Sequence, residues 1–272
     1  MNRIGSTFDA LRRSGRRGLM PFVCGGHPSL QATERLLPAL SRAGASVIEV
    51  GMPFSDPIAD GPVIAAAMHE ALKAGVTPDG VLESIARARE QTSAGIVVMV
   101  SYSVVYRVGL ARLVERAAAA GVDGFIFPDL PVEEAEEIGA EVKGRGLTMS
   151  LLVAPTTPAA RVARIARACT GFVYVLARVG ITGTDGAVDV RALAERIRVL
   201  RSETDLPVAC GFGIASADDV RAVVGPAEEG GAGADAAIVG SALVKRMTRA
   251  AASGADAVAE GAALVRALAA GL

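Results

Sequence analysis

Short apolar runs alternate along this chain with longer stretches in which apolar residues recur every three or four positions. The short runs are rich in β-branched residues and bounded by glycine, proline or polar residues, which predicts buried strands. Eight runs are predicted as strands: Leu19–Cys24, Val47–Val50, Gly95–Ser101, Gly124–Phe127, Thr148–Val153, Phe172–Leu176, Pro207–Cys210 and Ala236–Val239. The longer stretches predict helices at 8–13, 30–44, 62–73, 79–90, 110–120, 133–143, 158–168, 189–201 and 217–224, and an alanine-rich helix at the end.

This alternation predicts one (β/α)₈ barrel domain over residues 1–272, an α/β fold of the TIM-barrel type with a short N-terminal helix. A doubly wound sheet is the runner-up, but it would need GxGxxG after its first strand, and none occurs there. A weak repeat supports the barrel. The segments SRAGASVIEVGMPF, AAAGVDGFIFPDLP and GGAGADAAIVGSAL each run from a helix end through a strand into a loop. Each unit is expected to bring its loop to the same end of the barrel.

Charge and cysteine content narrow the class of protein. The 272 residues carry a formal net charge of −1, which argues against nucleic acid or a membrane as a partner, since both require a concentrated basic surface. The three cysteines have no metal-like spacing and are expected to be reduced thiols. The basic start lacks the apolar core of a signal peptide, and no apolar run reaches the ~18 residues that span a bilayer. We therefore expect a cytoplasmic protein.

The segment VIEVGMPFSDPIADGP carries the densest candidate chemistry. Glu49 interrupts a buried strand near its end and shares a face with Val47, because side chains alternate along a strand. Asp56 and Asp60 follow in the next loop. A carboxylate at the carboxyl end of a buried strand is costly to desolvate, which favours a functional role over a strand-end glutamate that reaches solvent.

Glycines at the last two predicted strands indicate a phosphate site. Gly211-Phe212-Gly213 follows the seventh strand, and Gly240-Ser241 follows the eighth and begins a helix. Backbone N–H groups at glycines and helix N-termini bind anions, and these two loops commonly hold phosphate in (β/α)₈ barrels. Gly183 in the sixth loop is placed to contribute. The alternative is that these glycines only make tight turns.

Other catalytic groups are scarce. The three lysines all fall in or near predicted helices, which argues against a Schiff-base aldolase. The two histidines, His27 and His69, form no ligand cluster, so we expect no catalytic metal, and His27 is expected to support a loop. Carboxylates are left to transfer protons on a substrate that is anchored by its phosphate.

The chain resembles the tryptophan synthase α-subunit family in the segments MPFV, IEVGMPFSDPIADGPVI, PDLP, VAPTTP, GFVYVLARVGITG, LPVACGFGIAS and IVGSALVK. The resemblance implies a lyase that cleaves indole-3-glycerol phosphate to indole and glyceraldehyde 3-phosphate without a cofactor or a metal, and a tryptophan synthase β subunit as partner. It implies the following roles. Glu49 is the acid/base, Asp60 pairs with the indole nitrogen, and Tyr174 and Thr182 support catalysis; Phe22 and Tyr102 line the indole pocket; Gly183, Phe212, Gly213, Gly240 and Ser241 hold the phosphate end; Asp56 and Pro57 face the partner.

The chain departs from the family pattern near the expected partner face. Cys24 and His27 replace a threonine and an aspartate, valine follows Tyr102-Ser103 where an asparagine is usual, and Ala177 replaces a serine. We therefore expect intact catalysis with weaker coupling to a β subunit. Alternatives are a stand-alone lyase that releases indole for another pathway, and a weakly catalytic subunit that regulates a β partner. An isomerase on a phosphate-binding barrel would want a lysine or histidine at a strand end.

Overall fold

A closed barrel of eight parallel strands forms the centre of the computed structural model, which describes residues 2–57, 60–177, 189–211 and 213–272. Each strand pairs with the next along the chain, and β8 pairs with β1. The strands are β1 Gly18–Cys24, β2 Val47–Gly51, β3 Gly95–Met99, β4 Gly124–Phe127, β5 Thr148–Val153, β6 Val173–Leu176, β7 Val208–Gly211 and β8 Ala236–Val239. The predicted barrel is confirmed.

Helices surround the barrel. Within the described ranges they are α1 Arg3–Arg13, α2 Leu30–Arg42, α3 Pro62–Lys73, α4 Pro78–Arg89, α5 Tyr102–Val108, α6 Leu110–Ala119, α7 Ala135–Gly144, α8 Ala159–Ala168, α9 Val190–Glu203, α10 Ala217–Val224, α11 Ser241–Ala252 and α12 Ala257–Leu268. Short 3₁₀ turns lie at Val132–Glu134, Ala227–Glu229 and Ala269–Gly271. No helix in the described part of the chain has the length and apolar character needed to cross a bilayer.

Two predicted boundaries are wrong for identifiable reasons. The third apolar run ends as a strand at Met99, because the side chain of Ser101 accepts a hydrogen bond from the N–H of Ser103 and begins helix α5. The valines of α5 have strand propensity, so sequence pattern alone did not reveal this helix. The alanine-rich C-terminal stretch is two helices, because Gly254 adopts a φ of +75° and Asp256 caps α12.

The predicted repeat has a structural counterpart at the amino ends of the strands. Asp123 accepts a hydrogen bond from the N–H of Ile96 at 2.8 Å, and Asp235 accepts one from Val208 at the same distance. Each aspartate immediately precedes its own strand, β4 or β8, and so joins it to the strand before it. The two aspartates play equivalent roles in the two halves of the barrel.

The barrel interior is closed at its amino end and lined with apolar side chains. Ile4 and Phe8 of α1 are buried against the inward residues, and the rings of Phe8 and Phe172 lie 6.0 Å apart. The inward layer also contains Met20, Val47, Val97, Ile126, Ala209, Ala236 and Ile238. Two buried polar side chains, Thr148 and Ser150 of β5, share this inward face with Leu152.

Candidate active site

Glu49 lies near the carboxyl end of β2, aligned with Phe22 of β1 and Val97 of β3. It shares the inward face with Val47, as strand alternation predicted. Its side chain is 1% exposed, and Oε2 has no hydrogen-bond partner among the described residues. Burial, reinforced by the charge of Asp60, raises the pKa of Glu49 to about 8. A buried carboxyl with this pKa is protonated at neutral pH.

Asp60 lies in the loop between β2 and α3, directly before Gly61, the N-cap of α3. Its N–H donates to the carbonyl of Pro57 at 3.0 Å, which folds the loop back on itself. The side chain is half-buried, and burial raises the pKa of Asp60 to about 6. At neutral pH this carboxyl is mostly ionised, so the two carboxyl groups differ in protonation state.

Tyr174 comes from β6 on the opposite side of the barrel. It is buried, and burial, followed by the charges of Glu49 and Asp60, raises the pKa of its phenol well above the usual value. Its ring lies against Gly211, where an added Cβ would come 2.6 Å from the phenolic oxygen. Tyr174 therefore stays a protonated phenol beside the two carboxyl groups.

Phe22 is buried and packs across the neighbouring strand end. A Cβ added at Gly51 would come 2.5 Å from the Phe22 ring, so glycine is needed for this close approach. Gly240 lies on the other side of the ring, with its Cβ position 3.6 Å from the Phe22 Cβ. Phe22 thus stands between the Glu49 strand and the start of α11.

The predicted phosphate residues lie partly within the described ranges. Ser241 is the first residue of α11, with Gly240 as its N-cap, so the first N–H groups of this helix have no intrahelical acceptor. Gly213 precedes α10 and has a φ of +74°, a left-handed conformation that favours glycine. Thr182, Gly183 and Phe212 lie outside the described residues.

The loops after β2, β3 and β4 meet at one side of the mouth. Asp56 is exposed, and its carboxylate accepts a hydrogen bond from the Ser55 hydroxyl at 2.7 Å. Asp56 and Pro57 line a cavity of about 50 Å³ together with Asp60, Ser101 and Asp129. Tyr102 is half-buried at the start of α5.

Asp129 is a residue that the sequence analysis did not single out. Its carboxylate accepts hydrogen bonds from the Ser101 hydroxyl at 2.6 Å and from the Tyr102 N–H at 2.8 Å. These bonds join the loop after β4 to the start of α5. The signal available was the segment PDLP, which places an aspartate two residues after the end of a strand.

A larger cavity of about 680 Å³ lies beside the mouth, between the loop after β2 and helices α5 and α6. Pro53 and Phe54 line one wall, and Val104, Arg107 and Arg112 line another. Tyr106, the residue before Arg107 in α5, is a large aromatic side chain that is 83% exposed. Exposed aromatic and arginine side chains beside a concave surface are typical of protein interfaces.

The chemistry available at the mouth is acid/base chemistry on an anchored anion. A protonated Glu49 can donate a proton, an ionised Asp60 can stabilise a developing cation, and the start of α11 can bind an anion. Lys73, Lys143 and Lys245 all lie in helices, as predicted. Within the described residues, no group of three His, Cys, Asp or Glu side chains is arranged to hold a metal ion.

Comparison with known proteins finds the same family that the sequence resembles. The family model described as Tryptophan synthase alpha chain matches residues 8–272. The tryptophan synthase alpha chain of Synechococcus sp. (strain CC9902) is 45% identical over 247 residues, which cover 91% of this chain and 89% of the relative. That of Chloroflexus aggregans is 42% identical over 254 residues, or 93% of this chain and 92% of the relative.

Solved structures agree with the fold over the whole chain. The tryptophan synthase subunit alpha from Legionella pneumophila str. Paris superposes with a TM-score of 0.88 at 31% identity and covers 100% of this chain and 98% of that chain. A chain of Mycobacterium tuberculosis tryptophan synthase gives a TM-score of 0.87 at 34% identity, over 99% and 98% of the two chains. With the family model matching nearly every residue, this chain belongs to the tryptophan synthase alpha chain family.

Proposed function

We propose that this protein is a lyase that cleaves indole-3-glycerol phosphate to indole and glyceraldehyde 3-phosphate. The single observation that carries the proposal is the buried Glu49 carboxyl, whose Oε2 has no hydrogen-bond partner in the described part of the chain and whose pKa is raised to about 8, together with a half-buried Asp60. A carboxyl that is neutral at pH 7 and adjacent to one that is ionised supplies both an acid and a cation stabiliser. Family membership supports the same reaction.

The first step is protonation of the indole ring at C3, the carbon that bears the glycerol chain. Glu49 is the proposed acid, since its raised pKa leaves it protonated at neutral pH. The ring then carries positive charge on its nitrogen. Asp60 is the proposed partner of that nitrogen, because an ionised carboxylate in a partly desolvated site stabilises a nearby cation strongly.

The second step breaks the bond between C3 and the glycerol chain. The adjacent hydroxyl gives up its proton, the carbonyl of glyceraldehyde 3-phosphate forms, and the bonding electrons return to the ring. Glu49, now a carboxylate, is the proposed base that accepts this proton, so it ends the cycle protonated. Tyr174, a phenol held against Gly211, is proposed to support the carboxyl groups from the opposite strand.

The two ends of the substrate require different surroundings. We propose that Phe22 and Tyr102 contact the indole ring, and that Ser241, Gly240 and Gly213 bind the phosphate, with Thr182, Gly183 and Phe212 contributing from outside the described residues. Support comes from the α11 N-terminus, which combines free N–H donors with a favourable helix dipole. A cytoplasmic location is proposed as well, supported by three buried free thiols.

A tryptophan synthase β subunit is the proposed partner, and Asp56 and Pro57 are proposed to face it. Support comes from the 680 Å³ cavity and the exposed Tyr106, which adjoin the same loops. No observation favours the alternatives of a stand-alone lyase or a weakly catalytic regulatory subunit.

The test is a steady-state assay of indole release from indole-3-glycerol phosphate, with and without a β subunit from a relative. We expect turnover by the purified chain and faster turnover on addition of the β subunit. Absence of indole release under both conditions would refute the lyase proposal. Turnover that the β subunit leaves unchanged would refute the partner while retaining the lyase.

A further inference from the structure

His27 occupies a position that the proposed mechanism does not use. It follows β1 in the loop Gly25–Pro28, and its side chain is only 4% exposed. Nε2 lies 2.8 Å from the hydroxyl of Thr248 in α11, and Nδ1 lies 3.3 Å from a carboxylate oxygen of Glu70 in α3. The ring therefore bridges two helices that follow different strands.

The loop that carries His27 is itself held firmly. The N–H of Gly26 donates to the Thr33 hydroxyl in α2 at 2.9 Å. A Cβ at Gly26 would come 2.6 Å from the side chain of Val76, just beyond the end of α3, so the backbone there is tightly packed. The His27 ring thus extends from a fixed loop, and its two contacts transmit that position to α3 and α11.

The two bridged helices begin at the two ends of the proposed substrate site. Helix α3 begins at Pro62, two residues after Asp60, and α11 begins at Ser241. The helices pack directly against each other, and α11 also packs against β1. Any shift of α3 along α11 would therefore change the separation between the Asp60 carboxylate and the anion-binding helix start.

We propose that His27 is a positioning residue that fixes the spacing of α3 and α11, so that Asp60 and the Ser241 helix start match the length of one substrate. The proposal rests on the proposed function. The Glu70 side chain is 60% exposed, so its contact with His27 is screened by solvent, and the link to α3 also depends on the tight packing of Gly26 against Val76. Small misplacements of reacting groups reduce turnover strongly, even when the altered residue touches no substrate.

Kinetics of His27→Ala and Thr248→Val test the proposal. We expect kcat to fall about tenfold in His27→Ala and about threefold in Thr248→Val, with KM within about twofold of wild type. His27→Gln, whose amide can still reach Thr248, should recover most of the loss. The double variant should lose no more than His27→Ala alone, because His27→Ala already removes the hydrogen bond that Thr248→Val removes.

Thr92→Val is the matched control. Thr92 is buried in the turn between α4 and β3, away from the mouth, and its hydroxyl donates to the carbonyl four residues before it, as that of Thr248 does. It should lower the melting temperature without changing kcat. The proposal is overturned if His27→Ala and Thr248→Val also lower only the melting temperature. If His27→Ala does not fold, the single hydroxyl removed in Thr248→Val still decides the question.

Hydrogen exchange separates this proposal from the lyase assignment. In His27→Ala and in Thr248→Val, amides in residues 60–66 and amides in residues 241–248 should both exchange faster than in wild type. Thr92→Val should instead raise exchange in residues 88–96. If the wild-type protein released no indole, the lyase proposal would fail, and these exchange rates would still show whether His27 joins the two helices. Unchanged exchange in either helix would overturn the bridge.

Discussion

Glu49 is stabilised as a neutral acid by the same burial that makes its ionised form costly. Its folded pKa of about 8 lies well above the ordinary value of 4.5, with burial as the larger cause and Asp60 as the smaller. Between those two pH values, ionisation of this carboxyl lowers the free energy of the unfolded chain, while the folded chain keeps the carboxyl protonated. The contribution of Glu49 to stability is therefore complete below about pH 4.5 and is lost as pH rises to about 8.

Glu49→Gln should abolish turnover and raise stability. The amide keeps the shape of the side chain but cannot transfer a proton, which costs at least ~10²–10⁴-fold in kcat. It also removes the ionisable group, so the melting temperature should exceed that of wild type at pH 8 and approach it at pH 5. Kinetic assays and thermal melts at both pH values check this. A variant with a rate within a few-fold of wild type contradicts the role of Glu49.

The pH profile of kcat/KM should be bell-shaped, with limbs near pH 6 and pH 8. In the proposed mechanism, activity requires Asp60 to be ionised, above about pH 6, and Glu49 to be protonated, below about pH 8.

Asp60→Asn should cut turnover severely, because a neutral amide stabilises an indole cation poorly. In that variant the basic limb of the residual activity should move to lower pH, since the Asp60 charge helps to raise the Glu49 pKa. A basic limb that stays in place argues against this coupling.

At the scale of elements, chemistry is concentrated where a strand passes into a helix. The loop from β2 to α3 carries Asp60, and β8 passes directly into α11 through Gly240. Side chains at strand ends are held in fixed positions, because each strand is hydrogen-bonded to a neighbouring strand on both sides. Helix starts supply unbonded N–H groups and a positive dipole end. The two kinds of group therefore meet at one end of the barrel.

Ser241→Ala should weaken binding of the phosphate end. Loss of one hydrogen bond to a charged group costs ~1.5–3 kcal/mol, or about tenfold to a hundredfold in KM, with little change in kcat. Ser253→Ala is the control, because it removes a hydroxyl from the C-cap of the same helix. Substrate lacking the phosphate should bind both variants and wild type equally. A KM equal to that of wild type for the phosphate ester would remove Ser241 from the phosphate site.

Gly213→Leu should also raise KM, by obstructing backbone donors near the proposed phosphate. Its φ of +74° means that any side chain adds backbone strain of ~1–2 kcal/mol. Gly213→Ala carries the same strain without the bulk and serves as the matched control. A larger KM for leucine than for alanine, measured with the phosphate ester, supports obstruction. Equal KM values for Gly213→Leu and Gly213→Ala would show that backbone strain alone causes the effect.

At the scale of the whole molecule, the proposed catalytic site and the proposed partner surface share one end of the barrel. The loops after β2 and β3 border both the mouth and the 680 Å³ cavity. Val104, which stands where the family usually has asparagine, lines that cavity and packs partly against the core. An asparagine offers hydrogen-bond donors and an acceptor to a partner, whereas valine offers neither.

Val104→Asn should therefore strengthen coupling to a β subunit. A restored hydrogen bond that satisfies a buried polar group of the partner contributes ~1–3 kcal/mol, or about tenfold to a hundredfold in affinity. Titration with a β subunit while indole release is followed checks this, with Val108→Asn on the same cavity wall as control. Tight binding and strong activation of the wild-type chain, with no gain in the variant, would show that the valine does not weaken coupling.

The sequence by itself determined the barrel, because strand and helix periods alternate eight times and each buried run is bounded by clear turn residues. It also indicated Glu49 as a functional residue, since burying an ionised carboxylate on an apolar strand such as VIEV costs free energy. Helix α5 and the break between α11 and α12 escaped prediction. The first depends on a cap at Ser101 within a valine-rich stretch, and the second on the backbone conformation of Gly254.

Only the tertiary structure decided which distant residues act together. Tyr174 and Glu49 are 125 positions apart in the chain, yet barrel closure places them at one mouth, where burial, followed by the charge of Glu49, raises the pKa of the phenol. The same holds for His27 between Glu70 and Thr248, and for Asp129 with Ser101. Local sequence encodes periodicity, capping and burial, whereas contacts between loops of different strands depend on how the closed sheet arranges its ends.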